Sequence, residues 1–386
     1  MQLMRFLTEP MLSSQNKNRL IQLFLGSLLV LNPLSAQNLQ KEVNFSKHKC
    51  LPGYGFKKMR HPEIFQGNNK KRSYFEGWYF KMVSADDSSI LSVIPGIALS
   101  HDGKEQHAFI QIINGKTAKT DYYSFPIKEF AFSKKEFAIK IGQNYFSADK
   151  IILHLHTDSS SVSGKIQMTN HIKLNSHKIL NPGIMGWYRF VPFMECYHAV
   201  VSLTNQLDGS LFIDGKEHCF RQGLGYIEKD WGSSMPSAWI WMQSNHFSKR
   251  NSSFMLSIAN IPWLGKSFTG FLGFFLHDSI LYHFATYTHA TLSLEECGLN
   301  TIRINVKDRN TTFSIEASRN QAGLLKAPVK GSMDRRIPES VDAKLQLSAV
   351  DRNGKVIFQD STSIAGLELV GNQKLLIQSL NKNQIE

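Results

Sequence analysis

The segment "GYIEKDWGSSMPSAWIWMQSN", Gly225 to Asn245, crowds three tryptophans, a tyrosine and two carboxylates into twenty-one residues. Read with the two-residue period of a strand, Tyr226, Glu228 and Asp230 share one face while Ile227, Lys229 and Trp231 take the other. After a break at "GSSMP" the alternation resumes, placing Trp239, Trp241, Gln243 and Asn245 on one face of a second strand. The pattern predicts a β protein with a boundary near Gly232 to Pro236. It also poses a chemical question. Acids beside large rings are either the polar end of a packed strand pair or a proton source in an apolar pocket.

Working outward, the same short strands recur. "SSILSVIPGIAL", "HAFIQIING", "KEFAIKIG" and "KIILHLHTD" precede the segment; "SFMLSIANI", "FTGFLGFFLHD", "TIRINVKDRNTTFSIEA" and "AKLQLSAVDRNGKVIFQDS" follow it. They are rich in β-branched and aromatic residues and closed by Gly, Asn, Asp or Ser. Asp-Gly pairs at 102–103, 208–209 and 214–215, and Asn-Gly pairs at 114–115 and 353–354, are hairpin signals. No stretch keeps a helical period for three turns, and strands spaced about ten residues apart predict barrels or sandwiches.

Length and composition agree. The 386 residues are 42% apolar and 19% charged, enough for two real cores and unlike a disordered chain. Twenty-six phenylalanines suit an aromatic-lined interior. The net charge of +13 comes from lysines scattered through turns such as "KHK", "GFKKMR" and "NNKKR". No nucleic-acid-binding module accompanies them, so no nucleic-acid partner is expected; peripheral association with anionic membrane surfaces is compatible with the charge.

Residues 1–36 read as an export signal. Lys17 and Arg19 precede "LIQLFLGSLLVL", Leu20 to Leu31, and "LSA" stands before Gln37 as a small-residue cut site. The apolar run is shorter than the roughly 20 residues of a membrane span. A periplasmic or secreted location follows, with an N-terminal barrel over 37–232, a C-terminal barrel over 233–376 and a polar tail over 377–386. Cys50, Cys196, Cys219 and Cys297 are widely spaced, form no CxxC, and leave their pairing open.

Several longer segments are chemically unusual: "SYFEGWYFK", "IPGIAL", "HAFIQ", "GIMGWYRFVPFMECYH", the opening segment, and "GSMDRRI". Together, over residues 60 to 370, they resemble the tocopherol cyclase family, which is similar in turn to the carotenoid 1,2-hydratase group. The resemblance implies an all-β fold of two lipocalin-like, calycin-type antiparallel β barrels in tandem. It also implies a hydrophobic prenylated substrate, a quinol whose phenol oxygen adds across the nearest prenyl double bond to close a chromanol ring. That addition is redox-neutral, so no cofactor is expected.

Such chemistry needs an acid that stays protonated and dry, because simple alkenes are very weak bases. A carboxyl in an apolar pocket meets the demand, since burial disfavours its charged form. Indole or phenol rings then stabilise the carbocation, and an acceptor holds the substrate phenol. Glu228 is the first choice of acid, because the hydratase relatives place a Tyr-x-acid pattern there; Tyr226 accompanies it. Asp230 either keeps Glu228 protonated by like-charge repulsion or is itself the acid. Trp239, Trp241, Gln243 and Asn245 are expected to face the acids inside a barrel, with Trp231 as a further ring or a barrel plug. His198 in "MECYH" and Trp78 and Glu76 in "FEGWYFK" complete the candidate binding set, although Glu76 has Arg72 and Lys81 as alternative partners. His154 and His156 share a strand face without a third ligand, so no metal is expected. No G-x-S-x-G elbow, P-loop or GxGxxG is present. A hydratase, with water replacing the phenol, and a lipocalin-like carrier without activity remain as alternatives.

Overall fold

The computed structural model describes residues 45–46, 53–174, 183–192, 194–263, 265–319, 321–373, 376 and 380. The expected export signal and Cys50 lie outside them, as does the polar tail apart from Leu380. A short α-helix, α1 (Tyr54–Arg60), precedes the long strands.

The first sheet has 13 strands. In chain order these are β1 (Phe45–Ser46), β2 (Tyr74–Val83), β3 (Ile90–Leu99), β4 (Gln106–Asn114), β5 (Thr120–Pro126), β6 (Phe130–Ser133) and β7 (Ala138–Ile141). Then come β8 (Asn144–Ser147), β9 (Lys150–Thr157), β10 (Ser160–Ile172), β11 (Cys196–Ile213), β12 (Lys216–Cys219) and β13 (Gly223–Gly232). Their spatial order is β1-β6-β7-β8-β9-β10-β11-β13-β2-β3-β4-β5, with β12 beside β11. The Asp-Gly signal at 214–215 closes the β11–β12 hairpin, and both residues take the positive φ, 50° and 80°, that a two-residue hairpin turn of matching twist requires.

The second sheet has ten strands. They are β14 (Trp239–Ser244), β15 (Ser253–Trp263), β16 (Lys266–His277), β17 (Ile280–Ala285), β18 (Thr291–Cys297), β19 (Thr301–Lys307), β20 (Thr311–Ser318), β21 (Gly323–Val329), β22 (Ser332–Asp351) and β23 (Val356–Val370). The order runs β17-β16-β15-β14-β23-β22-β20-β19-β18, with β21 against β22.

Each sheet curls until its two ends share one core. In the first, Tyr123 of β5 and Phe130 and Phe132 of β6 are buried in one cluster with Phe80 and Phe146. In the second, the Phe284 ring of β17 sits 4.9 Å from Phe313 of β20, with Leu292 of β18 in the same cluster. The fold is thus the expected all-β, lipocalin-like pair of antiparallel sheets in tandem.

The sheets also bury their outer faces against each other, and this determines where the polar residues go. On β2, Trp78, Phe80 and Met82 point into the first core, while Tyr79 and Val83 join a separate apolar cluster with Trp239, Trp241 and Phe274 of the second sheet. Strand β14 divides likewise: Ile240 and Met242 fill the second core, and Trp239 and Trp241 face the first sheet. Strands β2, β13 and β14 are therefore buried on both faces.

Phe313 packs on Phe275, Tyr282 and Phe284 at the centre of the second core. Its replacement by Ala removes transfer energy and leaves a cavity, so Phe313→Ala is expected to destabilise the protein by about 3–5 kcal/mol. Denaturant melts at matched m-value check this.

Candidate active site

Strand β13 presents Tyr226, Glu228 and Asp230 outward, toward the second sheet. Register sets their neighbours: His198 of β11 lies opposite Asp230, and Tyr79 of β2 lies opposite Glu228. From the other sheet β14 supplies Trp239 and Trp241. Trp241 is the register partner of Glu368 on β23, and Glu368 is in turn the partner of Glu339 on β22. Gly366 on β23 makes room for this arrangement, since a Cβ there would run into the Trp241 indole. The acids and indoles of the opening segment do meet, but between the two sheets. The expectation that they face each other inside a barrel is corrected: β13 and β14 belong to different sheets, and each barrel interior is filled by Phe, Ile and Leu.

Two hydrogen-bonded groups face this space. In the first, the Tyr226 hydroxyl donates to Glu228 Oε2 at 2.7 Å and the Trp241 indole N–H donates to the same oxygen at 3.2 Å. His198 places Nδ1 2.9 Å from Asp230 Oδ1 and Nε2 3.7 Å from Glu228 Oε2. In the second, the Tyr79 hydroxyl donates to Glu339 Oε1 at 2.7 Å and itself accepts from Ser92 at 2.8 Å. The Trp239 indole N–H donates to Glu368 Oε2. Except for Tyr226 and Ser92, which stand behind them, these residues line a cavity of about 190 Å³ whose remaining wall is largely apolar, including Ile94, Phe109, Met185, Tyr188, Phe268 and Leu272.

Burial dominates the electrostatics. It pushes the Glu228 carboxyl above the usual carboxylate range, with His198 pulling it partly back. Burial and the charge of Glu368 push Glu339 up strongly. Burial disfavours the His198 imidazolium, yet Asp230 and Glu228 outweigh it and lift His198 to about 9. The thiol of Cys196, on the cavity wall, is held protonated by burial and by Asp230, which removes it as a nucleophile. Ligand atoms of His198, Glu228 and Asp230 lie within 4.8 Å of one another. Glu228 Oε2 already receives two X–H donors and His198 Nδ1 meets Asp230, while His198 Nε2 is buried with no hydrogen-bond partner among the described residues.

The other expected residues fall elsewhere. Glu76 is not a pocket acid and pairs with neither Arg72 nor Lys81: it points into the first barrel, where its oxygen meets Lys229 Nζ at 2.5 Å with both side chains fully buried. Lys81 sits on the opposite face of β2, donating to the Ile364 carbonyl at 3.0 Å. Trp78 and Trp231 flank the Lys229 ammonium at 4.6 and 4.9 Å, so they are core rings and not cavity walls. Gln243 accepts from Lys81 at 3.3 Å, and Asn245 donates to the Gly225 carbonyl at 2.9 Å; both tie the sheets together beside the cavity without lining it. His154 and His156 are exposed on β9. Sequence reading missed Tyr79, Glu339 and Glu368. A lone acid in the apolar run "IAGLELV" was the available signal for Glu368.

Two outcomes follow. Lys229→Met strands Glu76 as an uncompensated buried charge and is expected to cost about 3–5 kcal/mol in a denaturant melt, far more than an exposed lysine change. The raised His198 pKa gives a stabilisation that is complete below about pH 6.5 and is lost as pH rises through about 9. The advantage in melting temperature of wild type over His198→Asn should therefore shrink across that window, with the imidazole midpoint followed by NMR.

Comparison with known proteins places this site in context. Residues 158–371 match the model of a family described as tocopherol cyclase-like. A probable chloroplastic tocopherol cyclase of Oryza sativa subsp. japonica is 24% identical over 197 residues, covering 48% of this chain and 42% of that protein. A chloroplastic tocopherol cyclase of Zea mays is 30% identical over 74 residues, covering 19% and 16%. The chain thus spans less than half the length of the curated relatives it matches. Among solved structures, kievitone hydratase from Nectria haematococca is similar at a TM-score of 0.45 and 11% identity, covering 77% of this chain and 89% of that one. A putative AttH from Nitrosomonas europaea is similar at 0.46 and 11%, covering 78% and 93%. With more than half of its residues matched by the family model, the chain belongs to the tocopherol cyclase-like family.

Proposed function

We propose that the protein catalyses acid-promoted, redox-neutral ring closure of a prenylated quinol to a chromanol. One observation carries the reading: Glu228, Asp230, Glu339 and Glu368 converge with His198 and the Trp239 and Trp241 indoles on one largely apolar cavity between the sheets, with Glu195 a fifth carboxyl on its wall. Burial keeps a carboxyl protonated near neutral pH, which alkene protonation requires. The tertiary carbocation that results lies beside the Trp239 and Trp241 rings, each worth about 0.5–2 kcal/mol to a cation and more when desolvated. The phenol oxygen captures the cation, and a hydrogen-bonded carboxylate takes its proton. Several carboxyls on a largely apolar wall are more than a carrier of neutral lipid needs, since burying an acid disfavours the folded state unless it is hydrogen-bonded, paired or neutralised.

The test is direct. Purified protein incubated with a panel of prenylated quinols in D2O should yield a cyclised isomer of the substrate's elemental composition, carrying one carbon-bound deuterium and shifted in retention time from the substrate. A product heavier by water would instead indicate the hydratase reaction. Unchanged ligand that co-purifies with the protein, with no deuterium uptake, would indicate a carrier.

A further inference from the structure

Glu339 and Glu368 face one another across β22 and β23 as register partners. Glu339 is 0% exposed. Its Oε1 accepts from Tyr79, while its Oε2 is buried and meets no other hydrogen-bond partner among the described residues if both carboxyls are ionised. A proton on Glu339 resolves that orphan, because Glu339 then donates to Glu368. Glu368 is the less buried of the two, lines the cavity, and is held by the Trp239 indole. Glu228 stands in a different environment. Tyr226, Trp241 and the imidazole of His198 all turn hydrogen-bond donors or positive charge toward its carboxylate.

Resting on the ring-closure reading, we propose that Glu368 is the acid that protonates the prenyl double bond, that Glu339 is its positioning residue, and that Glu228 with His198 accepts the phenol proton. The Glu368 O–H bond breaks as the alkene π pair forms the new C–H bond. A lone pair on the phenol oxygen closes the C–O bond, and its O–H proton passes to Glu228. Glu339, keeping its own proton, hydrogen-bonds the carboxylate that Glu368 has become. When product leaves, water entering the cavity returns the proton from Glu228 to Glu368. No electrons are gained or lost.

The charge inventory agrees. Around Glu368 stand Glu339 and Trp239 as hydrogen-bond partners, the charges of Asp230 and Arg319, and the more distant His198 and Glu228. Lys81 faces Glu339 and Glu228 from β2. Burial comes first among these influences and pushes Glu368 up to about 7. Burial likewise pushes Glu228, the base, up to about 7, so the rate should fall on both sides of neutrality, as Glu368 loses its proton above it and Glu228 gains one below it.

Wild type, Glu368→Gln, Glu228→Gln, Glu339→Gln and Glu339→Leu would be compared for chromanol formation and carbon-bound deuterium in D2O. Near-UV circular dichroism would verify each fold. Glu368→Gln should lose deuterium incorporation by at least about a hundredfold, the scale of a general acid. Glu228→Gln should still incorporate deuterium while diverting the cation to alcohol or shifted alkene. Glu339→Gln, which keeps an N–H donor for Glu368, should retain activity that Glu339→Leu loses. Infrared difference spectra should show a protonated-carboxyl band that Glu228→Gln keeps and that Glu339→Gln and Glu368→Gln each alter. Deuterium uptake that survives in Glu368→Gln and vanishes in Glu228→Gln overturns the assignment and returns the acid role to Glu228. A carboxyl band indifferent to Glu339 and Glu368 overturns it without any substrate. No uptake by wild type on any quinol defeats the ring-closure reading itself, and the role assignment with it.

Discussion

The contact between Lys229 and Glu76 holds the site in register from behind. Both side chains are fully buried, 2.5 Å apart, and saturated: Lys229 also donates to the carbonyls of Pro62 and Ile64, and Glu76 accepts from the Gln66 and Gly67 amides and the Tyr74 hydroxyl. A buried pair of this kind adds little net stability against a hydrophobic isostere, but breaking it is costly. Its consequence is positional. Lys229 lies between Glu228 and Asp230 on a strand whose side chains alternate, so fixing the ammonium in the first barrel fixes both acids on the outer face. A slip of one residue would put Glu228 in the aromatic core and Lys229 in the cavity.

With β13 pinned, the second sheet does the rest. Docked over the outer face of the first, it removes water from Glu228, Glu339 and Glu368 and from Lys81 at once. Desolvation alone would neutralise all of them, and the partners decide which do so. Asp230 and Glu228 keep His198 charged against burial. Glu339 has a neighbouring carboxyl as its main electrostatic partner and is driven toward its protonated form. Two carboxyl environments, one surrounded by donors and one by another acid, thus arise in a single cavity from the register of four strands.

Much of this was legible in the sequence, for identifiable reasons. The two-residue period puts Tyr226, Glu228 and Asp230 on one face and Trp239, Trp241 and Gln243 on one face, because alternation is local and survives any tertiary arrangement. Which face looks inward is not local. On strands buried on both sides the polar–apolar contrast that marks an outer face is absent, and the acids and indoles were expected in a lumen that phenylalanines occupy. Trp78 and Trp231 read as binding rings because a buried indole looks the same from either side of a sheet. Glu339 and Glu368 were out of reach for another reason: their pairing with each other and with Tyr79 depends on contacts that span 260 residues for Tyr79 and Glu339.

His198 shows how far such a reading extends. A lone histidine on a strand is more often structural than functional, and nothing in "MECYH" distinguishes the two. The structure adds what stands around the ring. A structural histidine in a core is satisfied by one acceptor and stays neutral. Here Nδ1 meets Asp230 while Nε2 is buried facing Glu228, with no hydrogen-bond partner within reach among the described residues. An imidazolium so placed lowers the cost of ionising Glu228, while Glu339, whose strongest neighbouring charge is Glu368, is driven toward its protonated form by burial and by that charge. The same cavity can then hold an acid and a base of similar intrinsic strength without their neutralising each other, which is the condition for moving a proton from an oxygen to a carbon of one bound molecule.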